Sequence, residues 1–268
     1  MNHADRFTGR VQAYERYRMR YPAAQVLALL QQWCGLQPAW HIADVGAGTG
    51  MLAEIFLANG NPVVAVEPNA EMRAACLQLT ATWPQLEVRD ASAEHTGLAT
   101  ASQQMVAVGR AFHWFDQPRA VREFDRILGP DGWVVLVSLG RSLATTEQDE
   151  AYESLLLQHG TDYAYLRGGY RVHERLSEVF GEQPLHRAEL RSQAQLTLEE
   201  FLGQAMSISV APLPGHPRYE GMQQALYQHF ARYAQAGVLT MSMSCWVTAL
   251  QRNPRQAAAA SPAPAAQC

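Results

Sequence analysis

The stretch Asp44-Val45-Gly46-Ala47-Gly48-Thr49-Gly50 decides the fold of this chain. It follows the apolar-leaning residues 40–43 and precedes an amphipathic run over residues 51–57. A strand, a glycine loop and a helix in this order bring main-chain N–H groups against a ligand at a helix N-terminus. We therefore expect the loop residues to bind a ligand, and these are Gly46, Ala47, Gly48 and Gly50.

The spacing of the glycines indicates which ligand the loop would accept. A dinucleotide fingerprint, Gly-x-Gly-x-x-Gly, would need its third glycine at position 51, where this chain has Met51. Asp44 would repel a phosphate group but would attract an ammonium group. Both residues disfavour a nicotinamide dehydrogenase. They favour a nucleoside that carries an amino acid, and S-adenosylmethionine fits that description.

Strand and helix signals alternate through the first half of the chain. Apolar runs at 62–67, 105–108 and 133–139 are typical of strands buried on both faces of a parallel sheet. A weaker strand is predicted at 86–89, and Gly129-Pro130-Asp131-Gly132 predicts a turn. This alternation indicates an α/β fold with a doubly wound, Rossmann-like, mainly parallel sheet.

The second half of the chain shows a different pattern. Helices are predicted over 147–160, 173–180, 198–205 and about 219–236, and strands over 186–195 and 238–250, the last of them antiparallel. The helices between 141 and 180, with those around Ser207, predict a helical cap beside the ligand edge of the sheet. The Ala/Pro-rich tail 253–268 has no capacity to bury a core and is predicted to be disordered.

Composition and charge exclude several partner classes. The formal net charge is −4 at neutral pH, which gives no electrostatic footprint for nucleic acid or anionic lipid. Aromatic residues interleave with the arginines of 6–20, and this segment suits closure over a ligand better than RNA binding. The 4 cysteines have neither metal-ligand nor disulfide-framework spacing. Without a membrane-length apolar run or signal peptide, we expect a cytoplasmic monomer or homodimer with no metal.

Acidic residues follow two of the predicted strands. Glu67 lies at the carboxyl end of the second strand, where a carboxylate can accept hydrogen bonds from both ribose hydroxyls. Pro68 and Met72 are candidates to pack on the adenine, although core packing is the more common role for a residue such as Met72. Asp90 is placed to accept from the adenine amino group, unless it only caps a helix. A backbone N–H from Ala91 or Ser92 would complete that edge.

An aromatic segment follows the fourth predicted strand, where cofactor and acceptor should meet. It is Gly109-Arg110-Ala111-Phe112-His113-Trp114-Phe115-Asp116. Its aromatic rings could attract a sulfonium by cation–π interaction and form an apolar wall. His113 is a candidate general base or orienting donor, or it could hydrogen-bond loop backbone. Arg110 could anchor an anionic acceptor or lie on the surface.

These motifs together resemble the class I S-adenosylmethionine-dependent methyltransferases, in particular the small-molecule branch that includes trans-aconitate-type enzymes. Residues 7–22 are similar to the N-terminal lid of that branch, 44–50 to its first motif, Glu67 to its ribose ligand, and 111–116 to its aromatic signature. The resemblance extends to about Arg252. It divides the chain into a lid (1–22), a cofactor-binding core (23–140), and cap helices with C-terminal strands of the same domain (141–252).

The resemblance also implies roles for individual residues. Tyr14 and Arg18 would close over the cofactor, with Arg18 near its carboxylate, and Tyr17 would face the acceptor. Gly109, Arg110 and Ala111 would contact the cofactor, while Phe112, His113 and Trp114 would contact the acceptor. The implied reaction is methyl transfer to oxygen or nitrogen of a small molecule, with a carboxylate or heteroaromatic natural product favoured. The alternatives are a binding protein without methyl transfer and an RNA methyltransferase.

Three positions depart from the pattern of that branch. Met19 stands where a proline is usual, Gly109-Arg110 replaces a common Ala-Gln pair, and Gln103-Gln104 precedes the fourth strand where an aspartate is frequent. The second departure places a positive charge beside the acceptor site. None of the three removes a core contact to the cofactor.

Overall fold

The computed structural model describes residues 11–142, 146–166 and 176–252. The described strands are β1 (Ile42–Val45), β2 (Val63–Val66), β3 (Leu86–Arg89), β4 (Gln103–Gly109), β5 (Leu128–Arg141), β6 (His186–Leu196) and β7 (Leu239–Gln251). The described helices are α1 (Val11–Tyr17), α2 (Ala23–Cys34), α3 (Ala53–Ala58), α4 (Ala70–Gln78), α5 (Gln117–Ile127), α6 (Glu147–His159), α7 (Tyr163–Leu166), α8 (Leu176–Phe180), α9 (Leu198–Met206) and α10 (Tyr219–Tyr233). Short 3₁₀ helices span Leu79–Ala81 and Phe112–Trp114.

The seven strands form one sheet in the order β3-β2-β1-β4-β5-β7-β6. The first five are mutually parallel, and β7 runs antiparallel to both of its neighbours. The prediction of a mainly parallel, doubly wound sheet with an antiparallel last strand is therefore confirmed. The strand order reverses between β1 and β4, and open α/β sheets bind their ligands at the carboxyl edge beside such a reversal.

An apolar core packs on each face of the sheet. Successive side chains of a strand point to opposite faces. Ile42 accordingly belongs to one core with Ala65 and Met105, whereas Ala43 belongs to the other core with Val106. Each fully buried aliphatic side chain contributes about 1.5–3 kcal/mol. Burial on both faces explains why these strands are continuously apolar.

The cap is built from α6, α9 and α10 against β7, whereas α8, which was predicted to belong to it, packs beside α5 in the second core, where Phe180 stacks on Phe112. Tyr152, Phe201, Leu226 and Met241 are buried together in a third core there. The helices begin at strong local signals, since Thr197 and Glu200 form a reciprocal capping box at the start of α9. The cap therefore folds against the strand next to β5 and encloses the carboxyl edge of the sheet.

The turn predicted at residues 129–132 is not a connection between two elements. Leu128 pairs with Gln103 and Trp133 pairs with Met105, so three extra residues bulge out of β5. Asp131 takes a positive φ of 60° inside that bulge. The glycines and the proline correctly predicted a turn-like backbone at residues 129–132. The predicted start of the strand was wrong, because β5 pairs with β4 both before and after this bulge.

Two other boundaries differ from prediction. Helix α10 ends at Tyr233, three residues before the predicted end. Helix α8 begins at Leu176, and the earlier part of the helix predicted over 173–180 lies outside the described residues. The first ten residues of the predicted lid and the tail 253–268 also lie outside them.

Candidate functional site

The glycine loop follows β1 in left-handed backbone conformations. Gly46, Gly48 and Gly50 have φ values of 70°, 58° and 86°, which glycine adopts without steric cost. A Cβ on Gly46 would lie 2.6 Å from the Cβ of Ala111, and one on Gly50 would lie 2.6 Å from Leu79 Cδ1. A Cβ on Gly48 would meet nothing within 4 Å. The outer two glycines thus permit close packing, whereas Gly48 borders open space.

Asp44 is fully buried at the carboxyl end of β1. Neither of its carboxylate oxygens has a hydrogen-bond partner within 3.5 Å among the described residues. Burial raises the pKa of Asp44 to about 7, the backbone N–H of Ala53 opposes that rise, and the neighbouring Glu67 adds to it. Burying a carboxylate without a partner is costly. A cationic ligand at this position would satisfy it.

Glu67 is held by two backbone N–H groups. Gly48 donates to Oε2 and Asn69 donates to Oε1, both at 2.8 Å. Burial raises the pKa of Glu67, and these two hydrogen bonds moderate the rise. Each carboxylate oxygen can accept a second hydrogen bond. The carboxylate is thus oriented beside Gly48 with acceptor capacity left over.

A small cavity of about 30 Å³ lies between the glycine loop, the end of α1 and the end of β4. Its described lining residues are Tyr14, Tyr21, Asp44, Gly46, Ala47, Gly48, Thr49, Met51, Leu52, Gly109 and Arg110. The structure therefore brings together the loop, the predicted lid residue Tyr14 and two residues of the segment after β4. It adds Tyr21, which sequence reasoning missed.

Two guanidinium groups flank Tyr14 in the lid. The Cζ atoms of Arg18 and Arg110 lie 5.1 Å and 5.9 Å from the centroid of its ring. Burial raises the pKa of Tyr14, but Arg110 and Arg18 outweigh that effect, so its pKa lies below the ordinary value. Arg18 Nε is buried without a hydrogen-bond partner among the described residues. Two cations next to the cavity make this end of the site suitable for an anionic group.

Arg110 is fixed by an unusual backbone and by a tyrosine. Its φ is 56°, a strained value for a residue with a side chain. Its N–H donates to Val137 O, and its Nε donates to the Tyr21 hydroxyl, both at 3.0 Å. A Cβ on Gly109 would lie 2.7 Å from that hydroxyl. The departure Gly109-Arg110 therefore makes room for Tyr21, and the charge of Arg110 lies at the cavity rather than on the surface.

Helix α1 docks on the cap and on the core. The Tyr17 ring lies against Gly203 of α9, and the Tyr17 hydroxyl donates to Glu199 at 2.9 Å. Arg20, just after the helix, forms an ion pair with Glu54 of α3 at 2.6 Å. Tyr17 does not line either described cavity. The structure thus places this residue in the docking of the lid rather than beside an acceptor.

The residues predicted at the adenine lie beyond Glu67. Asp90 is exposed and forms an ion pair of 2.9 Å with Arg73 of α4. Arg73 also donates to the carbonyl of Glu67 at 2.9 Å, and sequence reasoning missed it. Met72 is buried. Three other residues were predicted near the adenine. Pro68 follows β2 and is exposed, while Ala91 and Ser92 follow β3 and are half-buried.

A larger cavity of about 280 Å³ lies beside the aromatic segment after β4. Ala111, Phe112, His113 and Trp114 line it, and the His113 and Trp114 rings are 4.4 Å apart. Arg18 and Arg110 also line it, so it adjoins the small cavity. The remaining described lining residues come from the lid, β4, β5, the cap region and β7: Met19, Val108, Leu136, Val137, Ser138, Leu139, Gly140, Arg141, Tyr152, Glu153, Leu156, Tyr163, Gln204, Ile208, Ser209, Val210, Met241, Met243, Trp246 and Thr248.

Two further observations concern metal binding and membrane insertion. In the part of the chain that the structure describes, no group of three or more His, Cys, Asp or Glu side chains is placed to hold a metal ion. No described helix is both long enough and apolar enough to span a bilayer.

The family comparison covers the segment that carries the glycine loop. Residues 43–136, from β1 into β5, match the family described as a methyltransferase domain. This segment of the chain is similar to a methyltransferase domain. The matched segment contains Asp44, Glu67 and the aromatic residues after β4, and therefore most of the residues around the small cavity.

The sequence relatives of this methyltransferase domain are themselves uncharacterized. The chain is 37% identical over 131 residues to an uncharacterized methyltransferase of Mycobacterium tuberculosis, with 49% of this chain and 51% of that protein aligned. It is 31% identical over 125 residues to an uncharacterized methyltransferase of Schizosaccharomyces pombe, with 46% and 48% aligned. The chain thus spans about half the length of the curated relatives it matches.

Solved structures share the fold over most of the chain. A presumed type II methyltransferase from Anaeromyxobacter dehalogenans has a TM-score of 0.58 at 22% identity and covers 89% of this chain and 98% of its own. A second structure is that of a phosphoethanolamine N-methyltransferase from Haemonchus contortus in complex with phosphomonomethylethanolamine and S-adenosylhomocysteine. It has a TM-score of 0.51 at 15% identity, and the match covers 91% of this chain and 57% of that one. These likenesses establish the Rossmann-like methyltransferase fold.

Proposed function

We propose that this protein transfers a methyl group from S-adenosylmethionine to an oxygen or nitrogen atom of a small-molecule acceptor. One observation carries the proposal. The Asp44 carboxylate is buried beside the glycine loop with neither oxygen hydrogen-bonded among the described residues. A cation would stabilise the ionised form of a carboxylate in this state, and the ammonium of the cofactor's amino acid is a cation that the loop can admit.

The neighbouring residues fit the remaining parts of that cofactor. Glu67, oriented by Gly48 and Asn69, has acceptor capacity for the ribose hydroxyls. Arg18 and Arg110, on either side of Tyr14, suit the carboxylate of the amino acid. The open space at Gly48 allows the close approach of a ligand. When bound, the cofactor supplies a methyl group on a positively charged sulfur.

The chain's own residues would contribute positioning and exclusion of water. Fixing two reactants in the right geometry can contribute about 7–11 kcal/mol to lowering a barrier. Phe112 and Trp114 provide an apolar wall in the larger cavity, and such a wall keeps water from the charged sulfur. His113, in the same wall, would orient the acceptor or remove a proton from an acceptor that is protonated at working pH.

The dimensions of the larger cavity support a small acceptor. Its volume of about 280 Å³ lies just below the range of roughly 300–1,000 Å³ that is usual for small-ligand pockets. The cap encloses it, and the net charge of −4 provides no attraction for nucleic acid. A carboxylate or heteroaromatic acceptor fits a wall that combines aromatic rings with arginines.

Calorimetric titration with S-adenosylmethionine and S-adenosylhomocysteine tests the cofactor site. We expect Asp44→Ala and Glu67→Ala each to weaken binding more than tenfold, because each removes a charged hydrogen-bond partner worth about 1.5–3 kcal/mol. Glu87→Ala is a matched control, since Glu87 is 55% exposed and pairs with Arg89 at the surface of β3. Unchanged affinity in both site variants would refute the assignment.

Methyl transfer itself is tested by mass spectrometry. The protein is incubated with methyl-deuterated S-adenosylmethionine and a library of small metabolites, and products that gain the labelled methyl group are identified. Labelled products that require Asp44 support the proposal. Cofactor binding with no labelled product would instead identify a protein that retains the cofactor without transferring its methyl group.

A further inference from the structure

Arg141 lies in the wall of the larger cavity, at the end of β5. Strand β5 extends beyond β4 at this edge, because Gly109 is paired with Val137 and Arg141 follows four residues later. At about 3.3 Å per residue, its backbone is roughly 13 Å further along the strand. The backbone of Arg141 therefore lies beyond the end of β4, in the part of the cavity wall that β5 forms.

The Arg141 guanidinium is held in a fixed orientation by three residues. Its Cζ lies 4.5 Å from the centroid of the Tyr152 ring. Its Nη2 donates to Glu153 Oε2 at 2.9 Å and to the Tyr163 hydroxyl at 3.3 Å, and that hydroxyl donates to the same Glu153 oxygen at 2.6 Å. A stacked and hydrogen-bonded guanidinium has already lost most of its rotational freedom, so a ligand would find it preorganised.

Only Nη2 of the Arg141 guanidinium makes hydrogen bonds to described residues. Within the described residues, Nε and Nη1 of Arg141 make no hydrogen bond, and neither is a fully buried atom without a partner, so both are accessible. The side chain is 19% exposed. Nε and Nη1 lie on different edges of the planar group, on either side of Nη2, so each can donate one charge-assisted hydrogen bond to an oxygen of an anion such as a carboxylate. A phosphate would call for additional cations.

The charges that line the cavity favour an anion. The charged residues in its described lining are Arg18, Arg110, Arg141 and Glu153. Arg18 and Arg110 flank Tyr14 at the cofactor end, whereas Glu153 shares one oxygen between Arg141 and Tyr163. Three cations against one anion leave the cavity with a positive excess, which selects against a cationic acceptor.

We propose that Arg141 binds a carboxylate of the methyl acceptor and thereby selects carboxylate-bearing acceptors. This inference rests on the proposed function and adds the chemical class of the substrate. The carboxylate lies at Arg141, while the atom that accepts the methyl group lies near His113, so the recognised group and the reacting group are at different places in the cavity. Glu153, Tyr152 and Tyr163 are positioning residues for the guanidinium.

The test compares carboxylates with their amides. Benzoate, salicylate, indole-3-acetate and quinoline-2-carboxylate are each paired with the corresponding primary amide. Each compound is titrated by calorimetry into the complex with S-adenosylhomocysteine and assayed with methyl-deuterated S-adenosylmethionine. We expect at least one carboxylate to bind at least tenfold more tightly than its amide. We expect Arg141→Gln to abolish that preference by raising KM at least tenfold, with a smaller change in kcat.

Two further variants separate recognition from structure. Arg141→Lys keeps the charge but loses the planar fork, so we expect it to restore only part of the preference. Arg191→Gln is the matched control, because Arg191 is 78% exposed on β6 and pairs with Glu189; it should leave the preference unchanged. If Arg141→Gln does not fold, Arg141→Lys and the carboxylate-to-amide ratio of the wild type decide the question.

The outcomes distinguish this inference from the proposed function. Loss of the preference in Arg141→Gln, with S-adenosylhomocysteine affinity intact, supports the inference. Equal binding of amides and carboxylates, an unaltered preference in Arg141→Gln, or no binding of any carboxylate to an intact cofactor complex overturns it and leaves cofactor binding standing. Failure to bind S-adenosylhomocysteine overturns the proposed function and this inference with it.

Discussion

The Tyr17 ring of α1 lies flat against Gly203 of α9, at a place where no side chain could be accommodated. A Cβ on Gly203 would overlap three atoms of that ring. Because α9 belongs to the cap and α1 carries Tyr14 towards the glycine loop, this contact, together with the hydrogen bond from Tyr17 to Glu199, joins the cap to the region of the glycine loop. The absence of a side chain at Gly203 therefore allows α1 to pack on α9.

We expect Gly203→Ala to displace α1 and weaken S-adenosylhomocysteine binding at least fivefold. Alanine favours the helix over glycine by about 1 kcal/mol, so α9 itself should gain stability while the lid is pushed away. Calorimetric affinity and thermal unfolding, measured together, separate these two effects. Gly221→Ala in α10 is the matched control, because its Cβ would meet only the ring of His159, at 3.2 Å.

The coupling between these two residues can be measured with a double-mutant cycle. If the clash is the cause, Tyr17→Ala should weaken binding by itself, and Gly203→Ala should have little further effect in that background. Additive losses would show that Gly203→Ala acts elsewhere in the cap.

Cofactor affinity should fall at acidic pH. Burial raises the pKa of Asp44 to about 7, and an ammonium ligand requires the ionised carboxylate. Below pH 7 the carboxylate must first release a proton, so we expect the association constant to fall by up to tenfold per pH unit. Titrations between pH 8 and pH 5.5 measure the slope. Asp44→Asn should bind weakly with a flat profile, and an equally flat wild-type profile would contradict the assignment.

The same buried carboxylate should lower the stability of the protein without ligand. A raised pKa means that ionisation opposes folding, so this penalty is fully present above pH 7 and disappears as the pH falls towards the ordinary value for aspartate. We therefore expect Asp44→Asn to raise Tm by a few degrees at pH 8 and by less at pH 5.5. A Tm difference that grows towards acidic pH would have the wrong sign.

His113→Ala should separate turnover from cofactor binding. His113 lines the larger cavity but not the smaller one, so we expect S-adenosylhomocysteine affinity to stay within a few-fold. Turnover should fall by about tenfold if His113 orients the acceptor and by about 10²-fold or more if it acts as a base. The exposed His95 provides a control substitution, and unaltered turnover in His113→Ala would assign the residue to scaffolding.

His229 should make the cap sensitive to acid. Burial lowers the pKa of His229 to about 4, Arg141 lowers it further, and Asp149 opposes the shift. The folded state therefore resists protonation, and stability is lost as the pH falls from about 6.5 towards 4. His229 stacks on Phe201 at 5.7 Å, so His229→Phe should keep the packing and lose less stability over this range. Denaturant unfolding at pH 7 and pH 4.5 measures the difference, and equal losses would contradict it.

The sequence predicted the parts of the site that are local in the chain. The glycine loop, Glu67 and the aromatic segment after β4 each directly follow a buried strand, and parallel strands bring their carboxyl ends to one edge. The strands and the mainly parallel type of the sheet could therefore be predicted from short apolar runs, whereas the strand order was not predicted. The start of β5 could not be predicted, because glycine and proline residues are typical of both a β-bulge and a turn.

Residues that meet only through the cap were not predictable. Arg141, Glu153 and Tyr163 come from a strand and two helices, and no spacing in the sequence links them. Tyr21 was missed because it lies in the segment assigned to the lid, and nothing in the spacing indicates that its hydroxyl meets Arg110. Tyr17 was assigned to the acceptor from its neighbours in the lid, whereas the direction of a helical side chain depends on how the helix docks.

The position of β7 gives the assembly of this protein a fixed order during synthesis. Every residue around the small cavity has been translated by the time the ribosome reaches the end of β5, but Met241, Met243 and Trp246 of the acceptor wall emerge roughly one hundred residues later. Until then, one edge of β5 has no neighbour, and an unpaired edge invites association with other chains. In the nascent chain, the residues around the small cavity would therefore be complete while one edge of β5 is still unpaired and prone to association. Only β7 of the same chain can then pair with that edge.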